Sequence, residues 1–268
     1  MLRKKSIKFS LRLKHNKLMS YFKEYSKYYD LIYKDKNYLS EAFYIDKIIR
    51  RLKKENSCLL DIGCGTGKHA SLLVEKGYKV HGIDNSDTML KEAVRNFGGI
   101  VSFSKGDIRN FKLDKTFDII TSLFHVMSYQ IRNEDLEASF KSVYNHLNPG
   151  GYFLFDCWYG PGVMNDLPTV KMKRMKDKQT EIIRIAEPVI HYNESVVDVR
   201  LQILINDLKR NQVTEFHEIH SMRYLFRNEV ELFSKMTNFS IEHLYSWLKF
   251  KSPSEKDWYV FFILKKNA

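Results

Sequence analysis

Apolar positions along the chain keep two different periods, and the changes of period divide it. Leu59, Leu60 and Ile62 make a short continuous apolar run, which predicts a strand over 57–62 with both faces covered. Similar runs return near 79–84, 100–105, 117–124 and 151–158, and helical spacing occupies 68–76, 87–96 and 134–147. Strands alternating with helices in this way predict a parallel sheet. In the helix over 134–147, Leu136, Phe140, Val143 and Leu147 share a face, Asn133 is the expected N-cap, and Asn148-Pro149-Gly150-Gly151 is the expected stop. From Gly160 to Phe226 the period becomes two. Val197, Val199, Leu201, Ile203 and Ile205 line one side of a strand over 195–207, and Phe216, Glu218, His220, Met222, Tyr224 and Phe226 line one side of another over 213–226. With 181–190 these predict a small inserted antiparallel sheet of three or four strands, ahead of a helix at 228–236 and strands near 239–246 and 257–265. Before the first strand, Tyr21, Tyr25, Tyr28, Tyr29, Tyr33 and Tyr38 crowd a helical stretch that runs to Arg51. Tyrosine has an apolar ring and a polar tip, so this stretch suits either a lid over a ligand or a helix with its rings in the core.

Composition narrows the class. A chain of 268 residues with 44% hydrophobic and 28% charged residues suits a soluble α/β domain with an appended piece, and no apolar run approaches bilayer length. No membrane association is expected. Three cysteines, Cys58, Cys64 and Cys157, lie in or beside core strands without metal-ligand spacing, which fits a reduced cytoplasm with neither disulfide nor metal. The net charge of +12 invites a nucleic-acid reading, but Arg3, Lys4, Lys5, Lys8, Arg12, Lys14 and Lys17 put +7 of it into residues 1–18, which contain no acid. The remaining +5 suits an anionic small substrate at least as well as nucleic acid, and no specific nucleic-acid partner is expected. Residues 1–18 are expected to be a poorly ordered tail.

The chemistry concentrates where β-pattern gives way to glycine. Gly63-Cys64-Gly65-Thr66-Gly67 follows the first strand as G-x-G-x-G, whereas the dinucleotide fingerprint sets its third glycine one position later. Asp61 precedes the turn, and Asp84 ends the second strand, where a carboxylate can accept hydrogen bonds from both hydroxyls of a ribose. Asp107, after Gly106, closes the third apolar segment, as a ligand contact or as a turn former. These stations resemble the class I S-adenosylmethionine-dependent methyltransferases. The resemblance implies a Rossmann-like α/β fold with a mostly parallel seven-stranded sheet and, here, an inserted antiparallel β cap. Its divisions would be a helical lid over 19–56, a cofactor-binding core over 57–159, the cap over 160–226 and a return to the core over 227–268. It implies S-adenosylmethionine as cofactor, Asp107 at the adenine amine, and contacts from Tyr21, Tyr29, Asp61, Gly63, Cys64, Gly65, Gly67, Asp84, Asn85, Met89, Asp107, Ile108 and Phe124.

A methyl on a sulfonium asks little of an enzyme: a nucleophile held in line, water kept out, one proton managed. An amine acceptor, with a pKa as low as about 7.7–8.0, needs only a weak base, while a hydroxyl wants a positioned one. His125 and Tyr129 follow the fourth strand, Asp156, Trp158 and Tyr159 end the fifth, and His220 lies on the apolar side of the cap; each also has a plain packing role open to it. Tyr28-Tyr29-Asp30-Leu31-Ile32-Tyr33, Lys36-Asn37-Tyr38, Glu41-Ala42, Phe111 and the cap ending in Tyr224-Leu225-Phe226 resemble the N,N-dimethyltransferases of nucleotide-linked amino sugars. That resemblance implies an anionic nucleotide sugar as substrate; taken with position along the chain, it makes Tyr33, His125, Tyr129 and His220 the candidate catalytic residues and Tyr38, Asp156, Trp158, Tyr159 and Arg223 the candidate substrate contacts. Tyr33 matches the lid tyrosine of those enzymes; Tyr129 stands where they carry a histidine, and His125 lies one turn earlier. A homodimer is one assembly this leaves open. Other readings are O-methylation of a sugar or small metabolite with His125 or His220 as base, an RNA methyltransferase, and a noncatalytic cofactor-binding protein.

Overall fold

The computed structural model describes residues 28–210 and 212–267. Its sheet is built outward from β1 (Cys58–Ile62), which pairs in parallel with β2 (Lys79–Asp84) on one side and β4 (Phe117–Ser122) on the other. A strand so placed has no free edge and both faces covered, so Leu59, Leu60 and Ile62 are at most 1% exposed. β3 (Ser102–Lys105) adds to β2 and β5 (Leu147–Tyr159) adds to β4, again in parallel. β11 (Tyr259–Lys266) then runs antiparallel to β5, and β10 (Phe239–Ser246) antiparallel to β11. The order β3-β2-β1-β4-β5-β11-β10 is a mostly parallel seven-stranded core, as the resemblance implies.

Helices cover both faces. α2 (Tyr38–Arg51) and α3 (Lys68–Glu75) pack Ile45, Ile48, Ile49 and Leu73 against Leu59 and Phe261. On the other face, α5 (Asn133–His146) and α7 (Arg227–Met236) bring Phe140 and Phe233 onto Phe153, Phe155 and Phe262. Each such buried ring contributes about 1.5–3 kcal/mol. Two local expectations are corrected here. The N-cap of α5 is Arg132, and Asn133 is the first helical residue because its side-chain oxygen is taken by Arg223 at 2.7 Å. Asn148-Pro149-Gly150-Gly151 does follow the helix, but it lies inside β5 as an irregularity: pairing with β4 jumps from Phe117–Leu147 to Ile119–Tyr152.

The insertion opens with a short helix, α6 (Gly160–Asn165), and continues as an antiparallel meander of β6 (Lys171–Lys176), β7 (Thr180–His191), β8 (Val196–Asp207) and β9 (Gln212–Leu225). β6 carries no legible alternation, since four of its six residues are basic and only Met175 is buried; charged side chains suit an edge strand. At its end β9 pairs in parallel with the end of β5, Trp158 with Tyr224 and Tyr159 with Leu225, so the cap is sewn to the carboxyl end of the core strands. Between cap and core lies α1 (Tyr29–Ile32), whose Tyr29 and Ile32 share a cluster with Met89 of α4 (Asp87–Phe97) and with Met175, Ile182, Leu201 and Ile203 of the cap. The aromatic lead segment is therefore two helices within the described residues, broken at Tyr33–Asn37, with Asn37 capping α2 by accepting from the Ser40 N–H. Among the described residues, no helix is long and apolar enough to cross a membrane.

Candidate active site

The turn between β1 and α3 is tied to the second strand by the N–H groups of Gly63 and Cys64, which donate to the Ile83 carbonyl at 2.8 and 3.0 Å. Gly63 and Gly65 both have left-handed φ, +69° and +55°, but their surroundings differ. A Cβ on Gly63 would stand 2.5 Å from Val126, whereas a Cβ on Gly65 would meet nothing within 4 Å. Gly63 is needed for packing; Gly65 faces open space where another molecule can approach the backbone. Beside that opening, the Asp84 carboxylate accepts from the Gly65 and Ser86 N–H groups, each at 2.8 Å. Burial raises its pKa against the pull of these donors. A carboxylate has about four acceptor positions, so these bonds orient Asp84 without filling it.

The other expected cofactor contacts have the following surroundings. Asp61 is 1% exposed and lies beneath the turn, accepting from Thr121 Oγ1 at 2.9 Å; burial pushes its pKa up to about 6. Both oxygens of Asp107 are held by the Arg109 guanidinium, at 2.9 and 2.6 Å, and Arg109 continues to Asp135 at 3.1 Å. Although burial raises it, that pairing leaves the Asp107 carboxyl below its usual range. Ile108 and Met89 are buried, Cys64 is buried in the turn, and Asn85 is exposed beside Asp84. Tyr21 lies outside the described residues. Tyr38, expected near substrate, instead rests on His69 of α3 with ring centroids 4.9 Å apart, on the glycine-turn side. There a chain missed by the sequence reading runs from Lys36 through Glu41 (2.5 Å) to His69 (2.6 Å).

After β4 the backbone does something uncommon. Phe124 and His125 are consecutive non-glycine residues with φ of +66° and +65°, a conformation costing about 1–2 kcal/mol per residue. It is held because the bend delivers His125 to Asp156 near the end of β5. The His125 N–H donates to both Asp156 oxygens at 3.2 Å, and Nδ1 sits 2.6 Å from Oδ2. Asp156 is 1% exposed; despite burial, the charge and hydrogen bonds of His125 hold its pKa below the usual value. Asp156 was expected to touch substrate, but it is instead the buried partner that orients His125. The imidazole stacks on Tyr259, centroids 4.5 Å apart, and the Phe124 ring meets the Tyr33 ring edge-on at 5.1 Å.

One turn later, a 3-10 turn (Val126–Tyr129) ends with the Tyr129 hydroxyl 2.8 Å from His220 Nδ1, while His220 Nε2 is 2.9 Å from Glu218 Oε2. Three residues that the period-two pattern and the turn supplied separately thus form one chain from core to cap. Three expected substrate contacts have protein partners in the structure. Arg223 is buried in an ion pair with Glu229 and also bonds Asn133 and the Ile131 carbonyl, so it fastens cap to core. Trp158 packs with Val163, Val197 and Tyr224 and against Trp258 at 5.3 Å, and Tyr159 packs on the core cluster; both fill the seam between the layers. On the lid side, Tyr33 lies 4.7 Å from Tyr29 and its hydroxyl accepts from Arg184 of β7 at 3.4 Å. Among the described residues, no cluster of three or more candidate metal ligands occurs.

Residues 59–151 match the family model described as a methyltransferase domain. Over 218 residues, 81% of this chain and 90% of the relative, the chain is 28% identical to the dTDP-3-amino-3,4,6-trideoxy-alpha-D-glucopyranose N,N-dimethyltransferase of Streptomyces venezuelae. Among solved structures, an S-adenosylmethionine-dependent methyltransferase of Clostridium acetobutylicum superposes with a TM-score of 0.77 at 23% identity, over 92% of this chain and 99% of that one. The SAM-bound amino pentose methyltransferase CalS10 of Micromonospora echinaspora superposes with a TM-score of 0.73 at 23% identity, over 94% and 100%. The fold is that of the class I methyltransferases.

Proposed function

We propose that this chain, a class I S-adenosylmethionine-dependent methyltransferase, methylates the amino group of a nucleotide-activated deoxyamino sugar. Gly65 and Asp84 fit the adenosyl end of the cofactor: an open approach to backbone beside a carboxylate with acceptor positions to spare for the ribose diol. When bound, S-adenosylmethionine supplies a methyl on a sulfonium, and the acceptor nitrogen takes it as the sulfur–carbon bond breaks. Tyr33 and Phe124, in edge contact beside the bend, wall the site with rings that exclude water, and each ring already carries a protein cation: Lys36 Nζ lies 4.0 Å from the Phe124 centroid and the Arg184 guanidinium 5.9 Å from that of Tyr33.

The observation that carries the amine reading is the polarity of two histidine systems. The Asp156 carboxylate can only accept, so the neutral form of His125 carries its proton on Nδ1, 2.6 Å from Oδ2, and in that form presents Nε2 as an acceptor. The Glu218 carboxylate likewise takes the Nε2 proton of His220, whose Nδ1 then accepts from the Tyr129 hydroxyl and leaves the phenol oxygen as an acceptor. Two acceptors on one short turn, His125 Nε2 and Tyr129 Oη, suit a group rich in donors, which an ammonium or amine is. The Streptomyces venezuelae relative, aligned over most of its length, is named for a substrate of that kind. Three free cysteines and no bilayer-length helix among the described residues suit a cytoplasmic enzyme.

The test is a matched pair of dTDP-deoxy sugars, one with an amino group and one with a hydroxyl at the same carbon, incubated with enzyme and cofactor and followed by mass spectrometry. Mono- or dimethylation of the amino compound alone is expected. Methylation of the hydroxy compound alone, or of neither while RNA is methylated, would replace this reading.

A further inference from the structure

The two histidine systems differ in where they end. The His125–Asp156 dyad terminates in a carboxylate 1% exposed, which orients and stabilises an imidazolium but offers no onward route. From Tyr129 the hydrogen bonds continue through His220, 8% exposed at its side chain, to Glu218, whose side chain is 14% exposed. Resting on the amine reading above, we propose that Tyr129, His220 and Glu218 are the proton exit of the reaction, with Glu218 as its terminal acceptor. The sheet register explains why these residues meet. Glu218 and His220 stand opposite Leu201 and Val199 on the same face of the cap, and Leu201 and Val199 pack in the cluster around Tyr33 and Phe124. Polar side chains on that apolar face have a use that burial alone does not supply.

The step balances as follows. The nitrogen forms its bond to carbon while the carbon–sulfur pair leaves with sulfur, so the acceptor becomes an ammonium with one proton too many. That proton passes to Tyr129 Oη as the phenol proton moves to His220 Nδ1 and the Nε2 proton moves to Glu218 Oε2. Glu218 then releases a proton to water, and rotation or re-exchange resets the relay. Tyr129 touches the acceptor; His220 and Glu218 are positioning residues that act through it.

Two measurements on the full chain decide the matter. Nitrogen-15 histidine spectra of the protein without substrate are expected to show His220 protonated on Nε2, and Glu218→Gln is expected to mix the two tautomers because an amide can donate as well as accept. With the amino sugar, Glu218→Gln is expected to lower kcat roughly tenfold or more while KM and adenosylhomocysteine affinity stay within about twofold, Glu218→Asp is expected to recover part of the rate, and Tyr129→Phe is expected to lower kcat at least as far. A His220 protonated on Nδ1, a tautomer indifferent to Glu218→Gln, or a raised KM with kcat unchanged would overturn the relay. If the wild-type enzyme leaves every amino sugar unmethylated while His220 is Nε2-protonated and responds to Glu218→Gln, the amine reading fails and the hydrogen-bond polarity stands.

Discussion

Replacing Gly65 with alanine separates binding from folding, because the added methyl group enters space that the protein itself leaves open. At φ +55° an alanine costs about 1 kcal/mol, and with nothing within 4 Å no clash adds to it. For a chain of this size that lowers Tm by about 2–4 °C. A ligand lying against the Gly65 backbone at van der Waals distance must then be displaced or crowded, at an overpacking cost of about 1–3 kcal/mol. Converted to affinity, that weakens adenosylhomocysteine binding by about 5-fold to 150-fold. Gly63→Ala is the control: its Cβ would lie 2.5 Å from Val126, so the left-handed strain and the clash together cost about 2–4 kcal/mol of stability before any ligand is added. Calorimetric titration and thermal melts of both variants supply the numbers. If Gly65→Ala binds adenosylhomocysteine as wild type does, the opening beside Asp84 is not where the cofactor lies, and the assignment of the site is wrong.

Asp156→Asn keeps the shape but lets the amide donate toward His125, so kcat is expected to fall by about 10²-fold with cofactor affinity unchanged, as steady-state kinetics and calorimetry would show. Arg223→Met strands Glu229 without its partner at the cap–core seam and should cost about 3 kcal/mol in urea unfolding, with the double variant Arg223→Met/Glu229→Leu recovering much of it. Asp61 gives a pH signature. Its folded pKa, about 6, lies above the unfolded value near 3.8, so the native state binds the proton more tightly; stability falls as pH rises from about 4 to about 6, by about 3 kcal/mol in total. Melts of wild type and Asp61→Asn should therefore diverge across that window, and parallel curves would show that Asp61 is not the titrating group.

What the chain disclosed in sequence was whatever sits close together along it. The glycine turn, Asp84 at the end of β2 and the alternation of β8 and β9 are each written in fourteen residues or fewer, and the alternation of strands and helices gives the parallel sheet, though not its order β3-β2-β1-β4-β5. Side-chain pairings were another matter, even between residues two or six positions apart. Arg223 reads as a free cation for an anionic substrate until α7 returns Glu229 to it, and Asp107 reads as an open carboxylate until Arg109 folds back on it. Glu218 and His220 share a face by parity alone, but nothing local joins them to Tyr129, 91 residues from His220. The left-handed pair Phe124–His125 gave no signal, since neither residue type favours that backbone region strongly enough to announce it.

The point of insertion ties the cap to the chemistry. β5 ends at Tyr159, the insertion follows at once with α6, and β9 returns beside the end of β5 before the chain re-enters the core at α7. That end is where ligands sit in open α/β sheets, and it is also where the turn carrying His125 and Tyr129 is held, by the Trp158 N–H donating to Ser128 Oγ at 3.0 Å. A cap inserted there brings its own side chains, His220 and Glu218, to the turn that carries Tyr129. The relay can form only when β9 is docked, because Tyr129 belongs to the turn after β4 and His220 and Glu218 to β9. Docking, sealed by Tyr224 at 1% exposure and by the buried Arg223 pair, therefore assembles the proton path in the same event that encloses the acceptor. A change such as Tyr224→Ala, costing about 3–5 kcal/mol by loss of a buried ring, should accordingly lower turnover even though Tyr224 touches neither cofactor nor acceptor.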